Sequence, residues 1–138
     1  MSSNLEEKLI MRLEGRVDKD NFYRHFQELM DSITMFTHSR FKEAQNNPAP
    51  LIKLREEVDE LIEQMNAPVE AGKINEANEK IEEEFADCFH LLLDSANRFG
   101  LSPMDILYIT TMKFNKNISR KWNEPNEDGI IKHIEEKK

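Results

Sequence analysis

The feature that most constrains this chain is the recurrence of apolar residues at steps of three and four. In residues 20–45 the recurring residues are Phe22, Phe26, Leu29, Ile33 and Phe36. Segments 51–66, 75–99 and 103–122 show the same spacing. Such steps place side chains on one face of an α-helix, and the alternating Val, Ile and Thr runs of strands are absent. The sequence therefore predicts an all-α protein.

Glycines and prolines mark the ends of these predicted helices. The stretch "NNPAP" precedes the segment that begins at residue 51, and Pro68 and Gly72 mark the loop after residue 66. Gly100 is placed as a helix C-cap. Pro103 suits the first position of the next helix. Counting a short amphipathic helix over residues 4–14, we expect about five helices.

We predict one domain, a single helical bundle, because no repeat or low-complexity linker divides the chain. Its expected parts are N-terminal helices in residues 1–49, a core of antiparallel helices in 50–122, and a tail in 123–138. The tail is rich in turn residues, and a short terminal helix is expected at its end.

The composition narrows the classes of partner. The chain of 138 residues carries a formal net charge of −8 at pH 7. Such a field repels phosphate backbones and anionic membranes, so we expect neither a nucleic acid nor a membrane as partner. No apolar run is long enough for a signal peptide or a membrane span. The single cysteine, Cys88, excludes an internal disulfide, and we expect a cytoplasmic location.

Four acidic residues stand at the edge of two apolar stripes. Glu57 and Glu60 are three apart in one predicted helix, and Glu84 and Asp87 are three apart in the next. The short loop between these helices predicts antiparallel packing, which brings the four carboxylates to one edge. Clustered carboxylates repel, and oxygen ligands suit Mg²⁺ or, as a substitute, Mn²⁺. The alternatives are ordinary solvated acids, or a register shifted by one residue to Glu56 and Glu83.

A group of polar residues follows on the last predicted helix. Lys113, Asn117 and Arg120 lie on one face, opposite the apolar stripe of that helix. Lysine and arginine with an amide between them suit a phosphate. The alternative is a solvated basic face near a helix C-terminus, where cations are favoured.

Together these residues resemble the MazG-like all-α nucleoside triphosphate pyrophosphohydrolases. "KLREEVDEL" and "EEEFADCFHLLL" are similar to the family's two metal-binding helices, and "NKNISRKWNEPNEDGIIKHIEE" resembles a subgroup associated with dATP and dGTP hydrolysis. The resemblance covers about residues 50–135. It implies Mg²⁺-dependent hydrolysis of purine deoxynucleoside triphosphates between the α- and β-phosphates.

The resemblance also implies the roles of the site residues. The catalytic metal ligands would be Glu57, Glu60, Glu84 and Asp87, and the phosphate-binding residues would be Lys113, Asn117 and Arg120. We expect a homodimer or a homotetramer, because the apolar stripes exceed what one chain of this size covers.

Other interpretations of the sequence remain open at this point. His90 follows Asp87 by three residues, a step found in di-iron bundles, but that architecture needs further acid and histidine pairs. Cys88 is interpreted as a small core residue. Trp122 is interpreted as packing against the tail. The competing function is that of a non-catalytic acidic helical protein that binds a partner or itself.

Overall fold

Four α-helices make up the described part of the chain. A computed structural model describes residues 19–38 and 47–135. The helices are α1 (Lys19–His38), α2 (Ala49–Asn66), α3 (Ile74–Phe99) and α4 (Pro103–Ile118). No strand occurs among these residues, and the all-α prediction is confirmed. The helix predicted over residues 4–14 lies outside the described residues.

The helix ends follow local chemistry. α2 begins within "NNPAP", where the Asn47 side-chain oxygen accepts a hydrogen bond of 3.0 Å from the Ala49 N–H. α3 ends at Gly100, which has φ +104° and donates its N–H to the carbonyls of Ala96 and Asn97. A residue with a Cβ would be strained at that φ, so the predicted glycine cap is confirmed. α4 begins at Pro103, as expected.

The end of the chain differs from the expectation. α4 ends at Ile118, four residues before the predicted end at residue 122. The expected terminal helix is not formed within residues 123–135, so that prediction is wrong for them. Trp122 instead pairs with His133 as an antiparallel bridge. Gly129, at φ +76°, completes the turn between the two sides, which favours a hairpin over a helix there.

The chain divides into two compact units, Met1–Pro103 and Met104–Lys138. In the first unit, α3 packs against both α1 and α2. Residues late in α2, near Gln64, lie beside Lys80, whereas Lys53 lies beside His90. Residue numbers therefore decrease along α2 where they increase along α3. These two helices are antiparallel, as predicted. The single-domain assignment stays a prediction.

A buried polar network holds α1 on α3. Asp94 is fully buried, and its carboxylate receives the Thr37 hydroxyl at 2.7 Å and the Arg98 Nε at 3.0 Å. The Arg98 Nη2 donates to the Thr37 hydroxyl oxygen at 3.2 Å. One turn away, Asn97 donates to the Thr34 hydroxyl oxygen and to Asp31. Hydrogen bonds of this kind require one register, whereas apolar contact alone tolerates sliding.

The apolar stripes of α2 and α3 are turned outward in the single chain. The apolar spacing of segment 75–99 predicts a core face that includes Phe85, Phe89 and Leu92, but these residues are exposed. On α2, Ile62 and Met65 are exposed as well. That part of the prediction is wrong. The face of α3 that packs inward runs through Ile81, Glu84, Cys88, Leu91 and Asp94, which rotates the aromatic positions away from α2.

None of the described helices combines the length and the apolar character that a membrane span requires.

The network predicts the cost of removing its acid. Asp94→Ala would leave the Arg98 guanidinium, 4% exposed, buried without its carboxylate. Breaking a buried ion pair costs about 3–5 kcal/mol, so we expect a loss of that order in the free energy of unfolding. Urea unfolding followed by circular dichroism measures it. Asp59→Ala, at an exposed position of α2, is the control and should change little. Equal losses in the two variants would contradict the role of the network.

Candidate active site

The inward face of α2 carries charged groups where a core normally has apolar ones. Lys53, Glu57 and Glu60 stand at helical steps of four and three, so they share the side that meets α3. Glu57 is only 8% exposed. Glutamate is rarely buried unless it is paired or binds a metal. The packing of α2 on α3 therefore creates an acidic site within the helix interface.

Three glutamates converge in this interface. One carboxylate oxygen from each of Glu57, Glu60 and Glu84 lies within 4.8 Å of the others. Glu57 is buried, Glu84 is half-buried and Glu60 is exposed, so the cluster runs from the interior to the surface. The sequence prediction put these three residues together, and the structure brings them together. Glu56, the alternative in a shifted register, instead bonds Lys53 on the exposed side.

The cluster is electrostatically strained. The charge of Glu57 raises the pKa of the Glu60 carboxyl, and partial burial and the charge of Glu84 add to the effect. Each cause disfavours the ionised form of Glu60. Because Glu60 is exposed, solvent screens much of this repulsion. The raised pKa of Glu60 nevertheless indicates a site that favours an added proton or cation.

Lys53 neutralises part of this charge. Its ammonium lies 2.8 Å from Glu57 Oε1 and 3.1 Å from Glu56 Oε2. The hydrogen bond to Glu57 contributes most, and that to Glu56 less, to a pKa of Lys53 that is raised above its ordinary value. The sequence analysis missed this residue, although lysine four positions before glutamate is a recognisable pair on a helix. One lysine leaves the three clustered carboxylates with a net negative charge.

One oxygen of the cluster has no partner. Glu84 Oε2 is buried and forms no hydrogen bond within the described part of the chain. A buried carboxylate oxygen without a donor costs about 1–3 kcal/mol or more, so it needs an explanation. A divalent cation supplies one, because hard cations prefer carboxylate oxygens. The donor set and this oxygen therefore fit the expected Mg²⁺.

Asp87 lies beside this cluster rather than in it. Its carboxylate does not join the three glutamates within 4.8 Å. Asp87 is the neighbour of Cys88 in the chain. Burial raises the pKa of the Cys88 thiol, and the charges of Glu57, Asp87 and Glu84 raise it further. The raised pKa keeps Cys88 a neutral thiol, in agreement with its interpretation as a packing residue.

A cavity opens next to the carboxylates. It measures about 490 Å³ and lies between α1, α2 and α3. Glu57, Asp87 and Lys53 form its polar side. Its other walls come from α1 and from the middle of α3, and they are Ser32, Ile33, Phe36, Thr37, His90 and Leu91. His90 is thus a cavity wall and not a member of the carboxylate cluster, which gives the di-iron interpretation no support.

The predicted phosphate-binding residues lie in the second unit. The Arg120 Nη1 donates to the Asn117 side-chain oxygen at 3.3 Å. The Asn117 carbonyl receives the Trp122 indole N–H at 2.8 Å, and the Trp122 ring meets His133 edge-on at 5.8 Å. Trp122 therefore packs against the tail, as interpreted from the sequence. Lys113 is exposed.

Comparison with known proteins identifies a family. A model of the dATP/dGTP pyrophosphohydrolase family matches residues 49–138, well over half of the chain. No curated protein and no solved structure gives a significant match. The matched residues contain all four predicted carboxylates and the three predicted phosphate-binding residues, whereas α1 lies outside the match.

The strained cluster predicts stabilisation by metal. We expect millimolar Mg²⁺ to raise the melting temperature, with a shift that grows with concentration, because the cation binds the folded state. Glu60→Gln should shrink this shift, since a neutral amide is a poorer ligand. Differential scanning fluorimetry measures it. Glu63→Gln, an exposed position on the same helix with the same charge change, is the control.

The pH dependence has a defined sign. Glu60 has a pKa above its ordinary 4.5 in the folded chain, so the unfolded chain loses this proton first. In metal-free protein its contribution to stability therefore falls as pH rises above 4.5. The shift with Mg²⁺ should be larger at pH 7 than at pH 5. A shift that neither Glu60→Gln nor pH changes would place metal binding elsewhere.

Proposed function

Since the chain belongs to the dATP/dGTP pyrophosphohydrolase family, we propose that it hydrolyses purine deoxynucleoside triphosphates with Mg²⁺ held by α2 and α3. The bond cleaved is that between the α- and β-phosphates, and the products are the monophosphate and pyrophosphate. The observation that carries the proposal is the cluster of Glu57, Glu60 and Glu84 around an unpartnered buried oxygen. Family membership makes the chain a nucleotide pyrophosphohydrolase, and the metal and the purine preference are the proposal.

The proposed metal ligands are Glu57, Glu60, Glu84 and Asp87. Bound Mg²⁺ would polarise phosphoryl oxygens and lower the pKa of a water molecule, and Mn²⁺ would serve as a substitute. The glutamates orient the ligand oxygens from two rigid helices. Lys53 holds Glu57 in place through its 2.8 Å contact. Any carboxylate oxygen that is not engaged as a ligand accepts the proton of the attacking water.

The cavity beside the carboxylates is the proposed nucleoside site. Its volume of about 490 Å³ lies within the ordinary range of small-molecule sites, and it shares Glu57 and Asp87 with the catalytic group. Ile33, Phe36 and Leu91 offer apolar surface for a base. A deoxynucleoside in this cavity would have its phosphates next to the carboxylates.

His90 is the proposed polar contact for the base. The other hydroxyl groups of the wall are already used as donors, since Ser32 donates to the Glu28 carbonyl and Thr37 to Asp94. His90 forms no hydrogen bond with the described residues. Its ring offers a donor or an acceptor to the edge of a base.

We propose that the phosphates are bound by Lys113, Asn117 and Arg120, which lie within the residues that the family model matches. Arg120 suits a phosphate because its guanidinium presents two parallel donors. Asn117 accepts a hydrogen bond from Arg120, which supports a role in orienting that guanidinium. The charge of Lys113 adds to the attraction.

The exposed apolar face supports a homo-oligomer. Phe85, Phe89 and Leu92 on α3 and Ile62 and Met65 on α2 are exposed on consecutive turns. Large apolar side chains exposed on consecutive turns of a helix are typical of subunit interfaces. We propose that a second copy covers this face, as a dimer or as half of a tetramer. The competing function, that of a non-catalytic helical protein, would use the same face to bind a partner. Exposure of this face therefore does not distinguish the two functions.

Substrate hydrolysis tests the function directly. We expect pyrophosphate release with Mg²⁺ from dATP and dGTP, at kcat/KM values at least about tenfold above those for dCTP and dTTP. Glu84→Gln and Asp87→Asn should each lower kcat by about a hundredfold or more, because each removes a charged ligand. A coupled pyrophosphate assay measures both effects, with Glu79→Gln, an exposed position of α3, as the control. Orthophosphate as the first product would contradict the cleavage site, and full activity of Asp87→Asn would remove it from the site.

Light scattering tests the assembly. At micromolar concentration we expect the mass of a dimer or a tetramer. Phe89→Glu places a charge in the proposed interface and should lower the mass to that of one chain. Val69→Glu introduces the same charge at an exposed apolar position in the loop after α2, and it should leave the mass unchanged. A wild-type monomer would contradict the proposal.

A further inference from the structure

The second unit ends in a hairpin that the sequence analysis did not anticipate. The Ile134 N–H donates to the Lys121 carbonyl at 2.7 Å, and the Asn123 N–H donates to the Lys132 carbonyl at 2.8 Å. The Asn126 side-chain oxygen closes the turn by accepting the N–H groups of Asp128 and Ile130. The hairpin therefore brings His133 and its neighbours back beside the residues that follow α4.

A basic cavity forms where the hairpin returns. It measures about 510 Å³, and its polar walls include Lys116, Arg120, Lys121 and His133, with Glu135 as the one carboxylate that the described residues contribute. Lys116 belongs to α4, Lys121 follows it, and His133 comes from the returning side of the hairpin. Residues that are separated in the chain thus converge on one cavity. In a chain with a net charge of −8, such a concentration of cations needs a reason.

The lysines and the arginine of this cavity are not held in ion pairs within the described part of the chain. Lys116, Arg120 and Lys121 form no ion pair with any described residue. Arg120 uses Nη1 to bond the uncharged Asn117 side chain at 3.3 Å, which orients the guanidinium but leaves its charge uncompensated. Like charges repel, and a multivalent anion is the ligand that relieves the repulsion of several at once.

We propose that this cavity binds a pyrophosphate group, with Lys116, Lys121 and His133 as contacts additional to Arg120. Two linked phosphates carry enough negative charge to match three cations, and they offer several acceptor oxygens to lysine and arginine donors. The choice of pyrophosphate over another anion rests on the proposed function, in which that group is part of the substrate and then a product. The anion site itself rests on the convergence of unpaired cations.

Pyrophosphate binding to the full chain in EDTA tests the site apart from the metal. Without a divalent cation the carboxylate cluster repels an anion, so calorimetry should report the basic cavity. We expect saturable binding by the wild-type protein. Lys121→Gln should weaken it roughly tenfold, because a charge-assisted hydrogen bond is lost. The control is Lys132→Gln, which removes the same charge from the same hairpin but not from the cavity wall, and it should change the affinity less than about twofold.

The outcomes separate the cavity from the proposed function. Absence of binding in EDTA, or equal losses in the two variants, overturns the cavity assignment even if deoxynucleoside triphosphates are hydrolysed. Binding that depends on Lys121 in a protein without hydrolysis supports the cavity and overturns the proposed function. In an active protein, a matching rise in the KM for dATP and in the inhibition constant of pyrophosphate identifies the bound group as that of the substrate. A rise in the inhibition constant alone identifies it as that of the product.

Discussion

The contact between α2 and α3 is the constraint on which the described first unit depends, and it brings acidic side chains into a helix interface. Glu57, Glu60 and Glu84 meet there, and among the described residues Lys53 is the cation that bonds the cluster. Ordinary packing would place apolar side chains at such positions. The arrangement raises the pKa of Glu60 and leaves Glu84 Oε2 without a donor. Both features lower the stability of the folded chain, and a bound cation would restore it. Functional sites in proteins commonly carry such strain.

A second set of contacts in the first unit fixes α1 against α3. Asp94, Thr37 and Arg98 hold α1 on α3 through buried hydrogen bonds, and hydrogen bonds depend on direction. α1 is thereby kept in one position along α3, and that position places Ser32 and Phe36 across the cavity from Asp87. This polar network, whose Thr37 is itself a wall of the cavity, thus sets the shape of the cavity beside the carboxylates.

The inward turn of the carboxylates also determines what faces outward. A helix cannot present Glu84 and Phe89 to the same neighbour, because the two positions lie on different sides. Packing Glu84 inward therefore exposes Phe89, which is 58% exposed in the single chain. The acidic interior and the apolar exterior of α3 have one cause. The proposed metal ligands and the proposed subunit interface lie on two faces of one helix.

The sequence by itself determined the helices, their breaks and the convergence of Glu57, Glu60 and Glu84, although Asp87 stays beside that cluster. Spacing, Pro103 and Gly100 act through neighbouring residues, and a seven-residue loop leaves α2 and α3 little choice but to pack antiparallel. The rotation of α2 and α3 about their own axes was decided only by tertiary structure, because the apolar and the acidic flanks compete for the same neighbour. The same holds for the hairpin that brings His133 to Lys121 and for the burial of Asp94 with Arg98. The hairpin joins residues that are distant in the chain, and Asp94 and Arg98 are buried because Thr37 of α1 packs on them. No local sequence pattern records such exclusion of water.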